Sequence, residues 1–112
     1  MEGKPTYEYR AKLLRVIDGD TILVELDLGF RIYYQQALRL YGINAPEIIG
    51  AERDKGLASK QHLTDLLTPN FLIRTFKNPG DKYGRWLAEI FTPLHFINAK
   101  MVADGYAINK EY

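Results

Sequence analysis

Hydrophobic and polar positions alternate from Tyr7 to Ile17, with Tyr7, Tyr9, Ala11 and Leu13 on one side and Glu8, Arg10 and Lys12 on the other. That is the period of a half-buried strand. The adjacent Leu13 and Leu14 break the parity and predict a bulge. Asp18-Gly19-Asp20 is turn chemistry, and alternation resumes from Thr21 to Asp27 with Ile22, Val24 and Leu26 inward, so the first two strands form a hairpin. A second turn at Asp27 to Gly29 leads into a long third strand, Phe30 to Ile43, in which Leu38 and Leu40 point opposite to Arg39 and Tyr41. The glycine-punctuated IIGAERDKG reads as a polar loop. Leu57 to Leu67 carries Ser59, Leu63, Leu66 and Leu67 at helical spacing, and Thr68-Pro69-Asn70 ends that helix. Phe71 to Phe76 is a fourth strand, KNPGDKYG a loop with two lysines, and Arg85 to Phe91 a fifth strand with Trp86, Ala88 and Ile90 on one face. Thr92-Pro93 reads as the cap and first-turn proline of a last helix, with Leu94, Ile97 and Met101 as its apolar stripe and Gly105 as the left-handed residue past its end.

Three strands, a helix, two strands and a helix is the connectivity of the OB-fold, a mainly β, α+β architecture: a five-stranded barrel with two packed helices. No repeat or low-complexity segment divides the chain, so residues 1–112 read as a single domain with a flexible start at 1–6. With 46% hydrophobic residues over 112 positions, such a domain buries enough surface to fold without disulfides or a structural metal. The absence of cysteine excludes disulfide frameworks and cysteine-based zinc or redox sites, and His62 and His95 are too isolated to hold zinc. No apolar run reaches the length of a membrane span, and MEGKPTYEYR has neither the basic start nor the apolar core of a signal peptide. A soluble monomer is expected, with no membrane partner and a compartment left open between cytoplasm and export. A formal charge of +1 does not grip long nucleic acid by bulk electrostatics, so any phosphate recognition must be local.

Taken one at a time, the polar residues have plain readings: Asp18 and Asp20 as turn formers, Arg39 as a strand-face charge, Glu47 as a loop charge, Arg85 as a strand start. Together they supply the parts for phosphodiester hydrolysis. That chemistry needs oxygen ligands for a hard cation, a carboxylate to orient or deprotonate water, and guanidinium forks to neutralise charge on the pentacoordinate phosphorus. Tyr33, Tyr34, Tyr41 and Tyr83 are candidates either for stacking on bases or for cross-strand packing.

The stretches VIDGDTI at 16–22, LRLYGINAPE at 38–47, KGLAS at 55–59, DKYGRWLAEI at 81–90 and NAKMVADGYA at 98–107 resemble the staphylococcal nuclease (thermonuclease) family. The resemblance implies an OB-fold and a calcium-dependent nuclease that cuts DNA and RNA, with single strands preferred. By the same resemblance Asp20 and Asn44 hold the metal with the carbonyl of Ala45, Glu47 handles the attacking water, Arg39 and Arg85 contact the scissile phosphate, and Lys82 and Tyr83 contact a terminal phosphate. The family's type member continues past the position of Tyr112 into a further helix. The family pattern has Asp where this chain has Asn44. An amide oxygen ligates calcium without bringing charge, at an expected cost of roughly ten- to hundredfold in affinity. The expectation is an active nuclease that needs more calcium. The alternative is a catalytically weakened module that binds nucleic acid or a protein partner, and a structural reading makes Asp20, Arg39, Asn44 and Arg85 a buried polar network fixing the barrel corner.

Overall fold

The computed structural model of the chain describes residues 6–76 and 84–111. Five strands close a barrel in the order β1-β2-β3-β6-β5, where β1 is Glu8–Asp18, β2 Thr21–Asp27, β3 Tyr33–Leu40, β5 Asn70–Thr75 and β6 Trp86–Phe91. A two-residue strand β4, Ile43–Asn44, pairs outside the barrel with β7, Ile108–Asn109. Helix α1, Arg53–Leu66, connects β3 and β4 to β5, and α2, Ile97–Ala103, follows β6. The strand and helix order expected from the alternation is thus the observed one, and the fold is the α+β OB barrel. Of the expected flexible start at 1–6, all but Thr6 lies outside the described residues.

The core follows from the alternation. Ala11, Ile22, Val24, Leu26, Leu38 and Leu40 are buried inside the barrel, joined by Phe71, Ile73, Ala88 and Ile90 from the other wall. The bulge predicted at Leu13-Leu14 is present as a register shift between Leu13 and Arg15, and a second shift lies between Val16 and Asp18. These shifts let Val16 return to the inner face and bring Asp18 and Asp20 to the rim. Leu63, Ile97 and Met101 seal the helical side.

Closure depends on a short seam. β3 and β6 run parallel and pair only at Leu38↔Trp86, Arg39↔Leu87 and Leu40↔Ala88, with Tyr41 N adding a bond to Ala88 O at 2.9 Å. Beyond that point, among the described residues, no strand continues beside β6 on this side apart from the single Phe91↔Phe96 bridge, and a side chain takes over. Asn98 of α2 accepts from Ile90 N at 2.9 Å and donates to the carbonyls of Tyr41 at 2.9 Å and Ala88 at 3.0 Å. Its amide does the work of the missing strand, as buried backbone groups require.

Three expectations need correction. The third strand does not run from Phe30 to Ile43. Phe30 and Arg31 adopt left-handed backbone conformations (φ 57° and 61°) in a turn closed by Leu28 N to Ile32 O at 2.9 Å, so β3 starts only at Tyr33. At its other end Gly42 (φ 81°) turns the chain, and Ile43 joins β4. The first helix begins before Leu57, because the polar segment after Gly50 is a single 3₁₀ turn, Gly50–Glu52, running straight into α1. The last helix begins later than Thr92-Pro93. The Thr92 hydroxyl accepts from His95 N at 3.2 Å and Thr92 N donates to His95 O at 3.0 Å, a local turn that competes with helix. Leu94, expected in the apolar stripe, is therefore 83% exposed. Gly105 does follow α2 in the left-handed conformation, at φ 84°.

Candidate active site

Asp20 sits at the start of β2, where the Asp18-Gly19 turn delivers it to the rim: Asp20 N donates to Asp18 Oδ1 at 3.0 Å. Arg39 lies opposite Thr21 in the β2–β3 register, on the strand face away from Leu38 and Leu40, and is itself nearly buried. Its guanidinium is fixed on several sides. Nη1 donates to the carbonyls of Ile43 at 3.1 Å and Leu40 at 3.5 Å, while Nη2 meets Asp20 Oδ2 at 3.4 Å and Asn44 Oδ1. Asp20 Oδ2 also accepts from Ala45 N at 2.9 Å, which ties the chain after β4 to the start of β2. Arg85, just ahead of β6, donates from Nη1 to Thr21 Oγ1 at 3.4 Å, and that hydroxyl donates on to Asp20 Oδ1 at 3.1 Å.

These residues converge. Asp18, Asp20, Arg39, Asn44, Ala45, Glu47 and Arg85 all line one cavity of about 520 Å³. Every predicted site residue within the described chain is therefore in one place, whereas Lys82 and Tyr83 lie outside the described residues. Three wall-formers are not among the candidate site residues of the sequence, although Tyr106 lies within the resembling stretch NAKMVADGYA. Glu52 comes from a segment read as loop, and Tyr106 and Ile108 arrive through the unforeseen pairing of β7 with β4. Thr21, the link between Asp20 and Arg85, was visible only as part of DGDT. A larger hollow of about 640 Å³ on the barrel wall shares no residue with this one, and its charged groups Arg10, Lys12, Glu25 and Asp27 face one another across the β1–β2 register instead of converging.

The loop bearing Glu47 rests on helix α1. A Cβ built on Gly56 would stand 2.1 Å from the Glu47 carbonyl oxygen and 2.4 Å from its carbon, so only glycine allows the first turn of α1 to touch that backbone. Gly19 is similarly hemmed by the Cβ atoms of Ala45 and Ser59, each 2.7 Å from where its own Cβ would be. Ser59 is buried and donates to Tyr106 O at 2.6 Å, carrying the same contact layer to the far wall. Gly56→Ala is accordingly expected to destabilise the fold by about 1–3 kcal/mol, because backbone and not a pliant side chain must move. Urea denaturation checks this; a midpoint equal to the parent's would mean that the loop gives way freely.

Electrostatically the site holds one tight pair and one reluctant acid. Asp20 and Arg39 form an ion pair with both side chains 11% exposed, so losing either partner leaves an uncompensated charge out of water. Asp18 is pushed up from its ordinary 3.8 to about 6, chiefly by burial and then by the neighbouring Asp20. The raised value sets the sign. Ionised Asp18 costs stability fully above pH 6, the cost shrinks as pH falls through that value, and it vanishes below the ordinary carboxylate range. Asp18→Asn keeps the acceptor for Asp20 N and removes the charge. In the metal-free protein it is expected to raise stability at pH 8 by about 1 kcal/mol, after allowance for solvent screening, and to change little at pH 4. Melts at both pH values in EDTA test it, and an equal shift at the two would sink the assignment.

Next to Tyr106 of the cavity lining, His62 Nε2 lies 2.7 Å from Asp104 Oδ2 and the imidazole stacks on Tyr106 at 4.0 Å. The hydrogen bond from His62, and then that from Lys100, hold the Asp104 carboxyl below its usual range. This cluster anchors the end of α2 to α1 behind the Tyr106 wall.

For a hard divalent cation the donor set fits in kind. Asp20, Asn44 and the Ala45 carbonyl are all oxygen donors in one cavity, with Asp18 and Glu47 beside them. It is short of charge: among the described residues no group of three or more acidic, histidine or cysteine side chains converges as a metal cage, and the Arg39 guanidinium lies on the Asp20 and Asn44 oxygens.

Comparison with known proteins gives a consistent picture. The family described as "Staphylococcal nuclease homologue" matches residues 37–112. Thermonuclease of Staphylococcus hyicus is 32% identical over 112 residues, covering 94% of this chain and 62% of the relative. Thermonuclease of Staphylococcus intermedius is 32% identical over 105 residues, with 88% and 58% covered. Micrococcal nuclease of Shigella flexneri is 32% identical over 111 residues, with 89% and 58% covered. The chain thus spans 58% to 62% of the length of these relatives.

Proposed function

The chain belongs to the staphylococcal nuclease homologue family, and from that premise we propose that it is a calcium-dependent nuclease hydrolysing phosphodiester bonds of single-stranded DNA or RNA. The observation that carries the reading is the convergence of two arginines, an amide, and acidic side chains on one rim cavity of the barrel. Arg39 approaches it from β3 and Arg85 from just ahead of the adjacent β6, and they suit the two non-bridging oxygens of a phosphate, where their charge opposes the negative charge that grows in the transition state. Glu47, exposed on the loop after β4, takes the water proton as the water oxygen bonds to phosphorus. The P–O bond opposite then breaks, the departing oxygen is protonated from solvent, and the products carry terminal phosphates. Asp20, Asn44 and the Ala45 carbonyl would hold the calcium ion. When bound, it supplies divalent charge that polarises the phosphate. Lys82 and Tyr83 are assigned to a terminal phosphate of the substrate. A monomer suffices, since every residue invoked comes from one chain.

Two observations favour a second reading, a nuclease-like module that binds nucleic acid or a protein partner without cutting it: Asn44 brings no charge, and Arg39 already engages both Asp20 and Asn44. Cleavage of a quenched fluorescent single-stranded DNA, with calcium titrated upward from an EDTA blank, separates the two. The nuclease reading expects calcium-dependent signal that Arg85→Ala lowers about a hundredfold. It also expects that Asn44→Asp lowers the calcium needed by about tenfold or more. No cleavage at any calcium concentration, in protein shown by circular dichroism to be folded, would favour the binding module.

A further inference from the structure

At the end of the barrel where β2 leaves and β3 enters, a second hollow of about 320 Å³ carries chemistry that the proposed reaction does not use. Its walls include the rings of Tyr9, Tyr34, Phe76 and Trp86 above buried Leu38, and among the described residues no charged side chain lines it. Most aromatic side chains at a barrel end are packed by their neighbours. Here Tyr34 is 54% exposed although it shares the inward face of β3 with Gln36 and Leu38, so its ring stands at an open mouth. Gln36 at the rim spends both amide hydrogens, on Ala37 O at 2.9 Å and Gly84 O at 3.0 Å, which leaves Oε1 as an acceptor.

The position of this cleft says what it is for. Gly84 and Trp86 flank Arg85. Trp86 turns inward opposite Leu38, while the Arg85 side chain runs to the other strand face and meets Thr21. A chain of nucleotides with a phosphate at Arg85 therefore has an aromatic cleft within the reach of its next base, just round the edge of β6. We propose that this cleft receives an unpaired nucleobase of single-stranded DNA or RNA whose backbone lies at Arg85; the proposal rests on the phosphodiester reading of the neighbouring site. Rings stack on the faces of any base, so such a subsite adds affinity without reading sequence. An aromatic hollow whose described lining carries no charge suits the base and not the phosphate, and the two cavities divide the nucleotide between them. A base inside a duplex has both faces covered and cannot enter, which makes the cleft a physical source of single-strand preference.

Trp86 is the only tryptophan in the chain, so it reports on its own cleft. In EDTA, to prevent cutting, the protein is titrated with a labelled tetradeoxynucleotide and with the same oligomer carrying abasic sites throughout, following both Trp86 emission and anisotropy. The base-bearing oligomer is expected to quench Trp86 and to bind about tenfold tighter than the abasic one. Tyr34→Ala, at a position exposed enough to spare the fold, is expected to close most of that gap. Equal binding of the two oligomers, each weakened by Arg85→Ala, would overturn the base cleft and leave the phosphate site standing. Binding that ignores Arg85→Ala as well would overturn both.

Discussion

Glu47→Gln is expected to lower phosphodiester cleavage about a thousandfold while leaving the melting temperature and calcium binding nearly as they were. The substitution keeps size and polarity and removes basicity, so it isolates proton handling from shape. Glu47 is exposed and its loop is fixed from behind by the contact of its carbonyl with Gly56, a backbone feature that the side-chain change does not touch. Its expected role is therefore in the rate and not in the fold. Single-turnover rates, calorimetric calcium titration and a thermal melt on the same preparation make the test. A loss smaller than about threefold would remove Glu47 from the chemistry and point to Asp18 or Glu52, the other carboxylates beside Asp20 in the same cavity, as the handler of water. A large loss accompanied by a lowered melting temperature would instead mean that the side chain braces the loop.

Asn98→Ala is expected to be the most damaging single change to the fold, at about 3–5 kcal/mol. The side chain is 3% exposed and serves three backbone groups at once, two carbonyls and one amide, at the point where β6 loses its strand neighbour. Alanine removes that partner from the buried Ile90 N–H and from the carbonyls of Ala88 and Tyr41. For a domain of this size the melting temperature should fall on the order of 10–20 °C. A fall of less than about 3 °C would show that water enters and replaces the amide. Because Tyr41 and Ala88 end the seam that holds Arg39 beside the strand after Arg85, residual activity at low temperature should fall as well.

What the sequence made legible and what it hid divide along a physical line. Alternation is a statement about which face is dry, so it located the inward rows Ile22-Val24-Leu26 and Leu38-Leu40 and even the Leu13-Leu14 bulge. It says nothing about backbone partners. The left-handed pair Phe30-Arg31 contains no glycine to announce it, so a strand pattern runs on through the turn. Thr92-Pro93 has the composition of a helix start, yet the hydroxyl found a closer partner in His95. At the site, the residue types of Asp20, Arg39, Glu47 and Arg85 point to phosphodiester chemistry and the resemblance adds Asn44, Ala45 and each role, yet neither says what steadies these side chains. Thr21, Gly56 and Asn98 do the steadying, and each acts through a contact distant in the chain that no local period encodes.

The short parallel seam between β3 and β6 also has a kinetic meaning. The meander β1-β2-β3 is joined by tight turns and pairs along its whole length, so it can form early from neighbours in the chain. The β3–β6 pairs join residues far apart in the chain, with β4, α1 and β5 between them, and closing them carries most of the loop entropy for little hydrogen bonding. That step should come late in folding and reverse first in native-state fluctuations. Arg39 and Arg85 stand on opposite sides of it. The two guanidinium groups are thus brought together by the last event of folding, and a transient opening of the seam would separate them while most of the barrel's β-structure remained intact.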